Sequence, residues 1–112
     1  MIPSGKPTRF FSSRQEKKVA KAVGGKVVPN SGAIRFGAGD VQTKSILLEC
    51  KTVTKPQKTF TVKKEWIEKN QEEAFAMGKS YSAVAIDFGD GVQHYIISQS
   101  LFNKLVDVLD ND

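Results

Sequence analysis

Asp40, Glu49 and Lys51 have the residue types and spacing that suit chemistry on a phosphodiester. Paired carboxylates supply the oxygen ligands that a hard cation such as magnesium prefers. A cation held beside a phosphodiester lowers the pKa of bound water and offsets charge in the phosphorane-like transition state. A lysine two residues after a carboxylate shares its face of a strand. There it can orient the attacking water or stabilise developing charge. Glu16, upstream on a helix, can add an outer ligand.

These acids stand in a basic field. Residues 1–64 contain only Glu16, Asp40 and Glu49 as acids, against 14 Lys and Arg, a formal charge of +11. The remaining 48 residues carry 9 acids and 3 bases, or −6, which leaves +5 overall. A surface that must meet a polyanion avoids carboxylates except where chemistry needs them. The candidate phosphate contacts divide by setting. Lys6 and Arg9 lie on Met1–Phe11, read as a flexible basic arm. Arg14, Lys17, Lys18 and Lys21 form the outer side of the first helix. Arg35 precedes the acid site, and Lys55 and Lys58 follow it. Any one lysine is adequately explained as part of a solvated face. Fourteen bases in 64 residues make that reading poor for the group. Such contacts give affinity and orientation without base readout.

The elements that must position these residues follow from periodicity. A helix is expected from about Ser13 to Val23, stopping at Gly24-Gly25, with Val19, Ala20, Val23 and Glu16 on one side. Lys26–Pro29 reads as a short strand and Pro29-Asn30-Ser31-Gly32 as a turn. Asp40–Thr43 and Ser45–Thr52 read as two strands. In the second strand Leu47, Glu49 and Lys51 share one face and Ile46, Leu48 and Cys50 the other. A hairpin bend between Lys44 and Ser45 puts Asp40 across from Glu49, whereas a three-residue turn at 43–45 puts it across from Leu48. Lys44-Ser45 is a weak hairpin turn, so both registers stand. Downstream, Trp66, Ile67, Asn70, Ala74 and Met77 form a helical stripe closed by Gly78. Strands follow at Tyr81–Phe88 and His94–Ser98. Ser100 is the expected cap of a last helix whose inner face is Leu101, Phe102, Leu105, Val106 and Leu109. The expected class is α/β, a mixed central β-sheet flanked by helices.

Gly39-Asp40-Val41 followed by Leu48-Glu49-Cys50-Lys51 resembles the motif of the PD-(D/E)XK nuclease superfamily, with Gly39 in place of the motif's proline. Glu16 upstream, the Ser31-Gly32 turn and the short chain look most like the archaeal and phage Holliday junction resolvases. The resemblance covers roughly the whole chain in element order, but residue identity is confined to these motifs. It implies a restriction-endonuclease-like fold of the resolvase type, acting as a homodimer on four-way junctions or other branched DNA. It further implies that Asp40 and Glu49 bind magnesium, with manganese able to substitute, and that Lys51 is the catalytic lysine. The backbone carbonyl of Cys50 becomes a further ligand candidate. Glu16 and Ser31 fall where the resolvases carry active-site residues. Compactness and resemblance together suggest a phage-encoded protein.

Each assignment has a structural rival. An acid-x-lysine triplet is common by chance. Ser13-x-x-Glu16 also reads as a capping box, which would return Glu16 to the helix start. Ser31 serves equally as a plain turn residue, Cys50 as a small core residue, and His94 as a polar strand position. Asp87-Phe88-Gly89 copies a kinase tripeptide without the rest of the kinase set.

Composition bounds what remains. At 112 residues the chain is expected to be a single domain. One cysteine excludes a disulfide framework and a cysteine-rich zinc site. Met1–Phe11 has no apolar core of signal-peptide length, and no run is long enough to span a membrane. A cytoplasmic location without membrane attachment is expected. The expected activity is magnesium-dependent endodeoxyribonuclease cleavage of branched DNA. Two alternatives stand beside it: another small nuclease of the same superfamily that nicks or trims replication or repair DNA, and a non-catalytic nucleic-acid-binding module.

Overall fold

The structure is a computed structural model that describes residues 8–29 and 40–111. Its elements run α1 (Thr8–Val23), β1 (Lys26–Val27), β2 (Val41–Gln42), β3 (Ile46–Thr52), α2 (Lys64–Ala76), β4 (Tyr81–Asp87), β5 (Gln93–Ile97) and α3 (Gln99–Asp110). The five strands form one sheet in the order β1-β2-β3-β4-β5. Only β3 and β4 pair in parallel. A parallel pair needs a crossover, and α2 provides it. The expected α/β class with a mixed, helix-flanked sheet is what the described residues form.

Side-chain alternation in β3 sorts the two faces. Leu48 and Cys50 join Val19 and Ala20 of α1, together with Val41, Ala83 and Ala85, in the main core cluster. Lys51, on the opposite face, meets Trp66 of α2. Val19, Val41 and Leu47 are fully buried. Each such side chain contributes about 1.5–3 kcal/mol over an exposed one.

The β2–β3 hairpin takes one of the two registers that the weak turn allows. Val41 pairs with Leu48 and Gln42 with Leu47, which brings Asp40 level with Glu49. The turn closes through Thr43. Its backbone N–H donates to the Ile46 carbonyl at 2.9 Å, and its Oγ1 accepts from the Ile46 N–H at 3.0 Å. A threonine hydroxyl thus does the work that a glycine turn would otherwise do. At the end of α1, Gly24 adopts φ 69°, a left-handed exit that suits glycine. Gly25 lies so close to β2 that an added Cβ would collide with the Gln42 carbonyl.

Three expectations need correction. First, α1 begins at Thr8 and not near Ser13, so only residues before Thr8 remain available for the expected arm on Met1–Phe11. Nothing in Thr8–Ser12 opposes helix, and Ser13 lies inside it rather than capping it. Second, Ser98 and not Ser100 caps α3, its Oγ accepting from the Leu101 N–H at 3.1 Å. Third, Leu101 alone of the expected inner face of α3 is buried, while Phe102, Leu105, Val106 and Leu109 are exposed. Val23 of α1, also expected inside, is exposed as well.

Candidate functional site

Asp40 stands where β2 begins and takes over a hydrogen bond from the ladder. Its Oδ2 accepts from the Cys50 N–H at 2.7 Å, while its own N–H donates to the Leu48 carbonyl at 2.8 Å. The carboxylate is thereby fixed against the middle of β3. N–H and C=O of one strand residue point the same way, so the Cys50 carbonyl faces this same edge. Glu49 reaches from the other face of β3, and its Oε2 lies 3.3 Å from Lys51 Nζ. The Lys51 ammonium also lies 4.7 Å from the centroid of the Trp66 ring, a cation–π contact that restrains it. Glu16, half-buried on α1, stands within hydrogen-bonding reach of the Asp40 carboxyl. The helix start at Thr8 removes the capping-box reading of Glu16, which has no helix end to return to.

The electrostatics are those of crowded, half-buried acids. Burial pushes the Asp40 carboxyl above its usual range, opposed by the Cys50 N–H, the Lys51 charge and the contact with Glu16. Burial also raises Glu49, and the neighbouring Asp40 charge raises it further, against the pull of Lys51. Glu73 of α2 adds to the same negative field. The Cys50 thiol is buried and pushed far up by burial and by Asp40, Glu16 and Glu49. This favours the neutral thiol over the thiolate.

A divalent cation suits this donor set. The oxygens of Asp40 and Glu49 and the Cys50 carbonyl are hard donors near one another where β2 begins against β3. The two carboxylates also repel each other, and a bound positive charge would relieve that. The described residues contain no group of three or more His, Cys, Asp and Glu arranged to hold a metal ion. The oxygen donors gathered here are two carboxylates and a carbonyl, with Glu16 beside Asp40.

The remaining expected residues divide. Arg14, Lys17, Lys18 and Lys21 are exposed along α1, and Lys55 and Lys58 are exposed on the loop after β3. Lys18 is engaged, its Nζ donating to the Gly91 carbonyl at 2.7 Å. A groove of about 490 Å³ runs between α1, the segment after β3 and the β4–β5 turn, with Arg14, Lys17 and Lys18 on its wall. Arg9 falls in the first turn of α1. Lys6, Ser31 and Arg35 lie outside the described residues. His94 is exposed, its ring edge-on to Phe88 at 5.9 Å, and takes no part in the site.

Three residues of the site escape sequence reasoning. Trp66 reads there only as part of the α2 stripe, and its place beside Lys51 depends on how α2 crosses the sheet. Glu73 reads as one of many solvated acids. Gln15 is buried at 3% exposure, although the i, i+4 spacing to Val19 already puts it on the apolar side of α1.

No family model, curated protein or solved structure matches this chain. No helix among the described residues is long and apolar enough to cross a membrane.

Proposed function

We infer that this protein is a magnesium-dependent endodeoxyribonuclease of the PD-(D/E)XK type that cuts branched DNA, most simply as a junction resolvase. One observation carries the reading: Asp40, clamped on the Cys50 N–H, stands beside the Glu49–Lys51 pair and in contact with Glu16. Asp40, Glu49 and the Cys50 carbonyl would hold the metal, which supplies an acidified water and charge compensation at the phosphate. Lys51 is placed to steady that water or the developing oxyanion. Trp66 and Glu49 hold its ammonium in place, and Glu16 orients Asp40.

The deciding experiment compares cleavage of a four-way junction with that of a linear duplex of the same sequence, with magnesium and with chelator. Metal-dependent cutting of the junction over the duplex is the expected result. Equal cutting of both would leave a general nicking or trimming nuclease. Junction binding without cutting would leave a binding module.

The exposed basic side of α1 supports DNA as the partner and gives a second expectation. Binding should weaken with salt at a slope of about −0.9 per phosphate contact. Replacing Lys17 and Lys21 together with alanine should flatten that slope by about 1.8 and weaken junction and duplex alike. The matched pair Lys69→Ala and Lys104→Ala should change little. A slope that moved only with the second pair would move the DNA to the other side of the molecule.

The exposed stripe on α3 supports a homodimer. At 100° per residue, Phe102, Leu105, Val106 and Leu109 fall on one face of the helix. All four are exposed, Phe102 and Leu109 at 57% and 77%. Asp107 and Asp110 outnumber Lys104 on this helix, a net negative charge that favours a protein surface over DNA or an anionic membrane as its cover. A second copy presents the same uncharged stripe, as a two-fold pair requires. Leu105→Asp is expected to convert a dimer to a monomer in sedimentation, with helical content retained. Sedimentation of the unaltered chain as a monomer at micromolar concentration would remove this surface from the proposal.

A further inference from the structure

Gln15 occupies a position that the chemistry above does not use and that a buried amide rarely takes without reason. Its Nε2 lies 3.0 Å from the Lys51 carbonyl, 3.2 Å from the Ala85 carbonyl and 2.9 Å from Gln93 Oε1. Two N–H bonds are thus shared among three acceptors. Its Oε1 is buried with no partner among the described residues. The Lys51 and Ala85 carbonyls lie in the gap between β3 and β4, where each has a second lone pair to offer. Asn70 of α2 makes the matching contacts at the other end of the same gap, its Nδ2 3.1 Å from both the Leu47 and the Ala83 carbonyl.

The direction of the Gln15 amide is set from a distance. Asp87 is buried and accepts through both oxygens: its Oδ1 takes the N–H groups of Gly89 and Gly91 at 2.8 and 3.0 Å. Its Oδ2 takes Gln93 Nε2 at 2.7 Å. With its nitrogen committed to Asp87, Gln93 presents Oε1 to Gln15. Gln15 must therefore present its nitrogen, the same nitrogen that holds the Lys51 carbonyl. Reversing the order would press oxygen against oxygen at Lys51 and Ala85.

The geometry points to Gln15 as a positioning residue for Lys51, with its amide oriented by Asp87 through Gln93. Consecutive residues of α1 then serve both sides of the site: Glu16 meets Asp40, and Gln15 holds the peptide that carries Lys51. The Asp87-Phe88-Gly89 segment gains a role unrelated to its kinase likeness. The consequence for cleavage rests on the nuclease reading, whereas the placement of Lys51 does not.

The test reverses the relay and then restores it. In Asp87→Asn, Oδ1 still serves the two glycine N–H groups, but an amide nitrogen now faces Gln93 and turns that side chain round. Adding Gln93→Glu restores an acceptor at both contacts, one oxygen for the new amide nitrogen at position 87 and one for Gln15 Nε2. The first readout needs neither DNA nor metal. The Lys51 ε-methylene protons lie near the Trp66 ring and should show an upfield ring-current shift by NMR. That shift should diminish in Asp87→Asn and return in the double variant, with melting temperatures measured alongside. The second readout is single-turnover cleavage, expected to drop on the order of 100-fold in Asp87→Asn and to recover with Gln93→Glu, with DNA affinity held throughout. An unchanged Lys51 shift in Asp87→Asn, or a loss that the second substitution does not repair, would overturn the assignment. If the unaltered chain cuts no DNA, the nuclease reading fails while the NMR comparison still decides the role of Gln15.

Discussion

Asp40→Asn and Glu49→Gln should each lower magnesium-dependent cleavage by at least about 1,000-fold, equivalent to roughly 4 kcal/mol of transition-state stabilisation. Both substitutions keep the shape of the side chain. An asparagine at position 40 can still accept from the Cys50 N–H through its amide oxygen, so the hairpin register survives and the loss reports chemistry. DNA binding, measured with calcium in place of magnesium, should hold or tighten, because a negative charge beside phosphate is gone. Wild-type-like cutting by either variant would sink the assignment.

The same substitutions make a second, opposite prediction about stability. Burial raises the pKa of both carboxyls in the folded chain. Between the ordinary carboxylate pKa and the raised value, the folded state binds more protons than the unfolded one. Stability therefore falls as pH rises through that window, and the penalty persists in full above it. Asn and Gln never ionise and escape it. Each variant is expected to melt above the unaltered protein at about pH 7, with the difference shrinking as pH falls.

Much of this arrangement is legible in the sequence. The order of helices and strands follows from periodicity, and the alternation in Leu47–Lys51 puts Glu49 and Lys51 on one face, as observed. The register of the β2–β3 hairpin is not legible, because Lys44-Ser45 has no turn preference of its own. The deciding contact, the Thr43 hydroxyl on the Ile46 N–H, is a side-chain bond that turn rules for residue pairs do not include. The start of α1 is obscured by a false signal: Ser13-x-x-Glu16 has the form of a cap, yet Thr8–Ser12 is equally free to be helical. In α3 the apolar stripe is readable, but what covers it is not. Periodicity says that Phe102, Leu105, Val106 and Leu109 share a face and is silent on whether that face turns toward its own chain. Gln15 and Trp66 are hidden for a related reason. A buried amide and an aromatic beside a lysine acquire meaning only from the strands and helix brought against them, and those contacts span 36 residues for Gln15 and Lys51.

Glu16→Gln is the sharpest test of whether α1 takes part in the chemistry. Glu16 lies inside the helix, so its carboxylate has no cap to make, and glutamine is as good a helix former. The amide can also donate to Asp40, which keeps the contact. On structural grounds alone the variant should melt at or above the temperature of the unaltered protein. If Glu16 serves only to fill space, cleavage should be near normal. If its carboxylate holds Asp40 or a water in working geometry, cleavage should fall on the order of 100-fold, with DNA affinity unchanged. Full activity in Glu16→Gln would confine the chemistry to Asp40, Glu49 and Lys51 and leave α1 as the helix that carries DNA contacts and the Gln15 clamp.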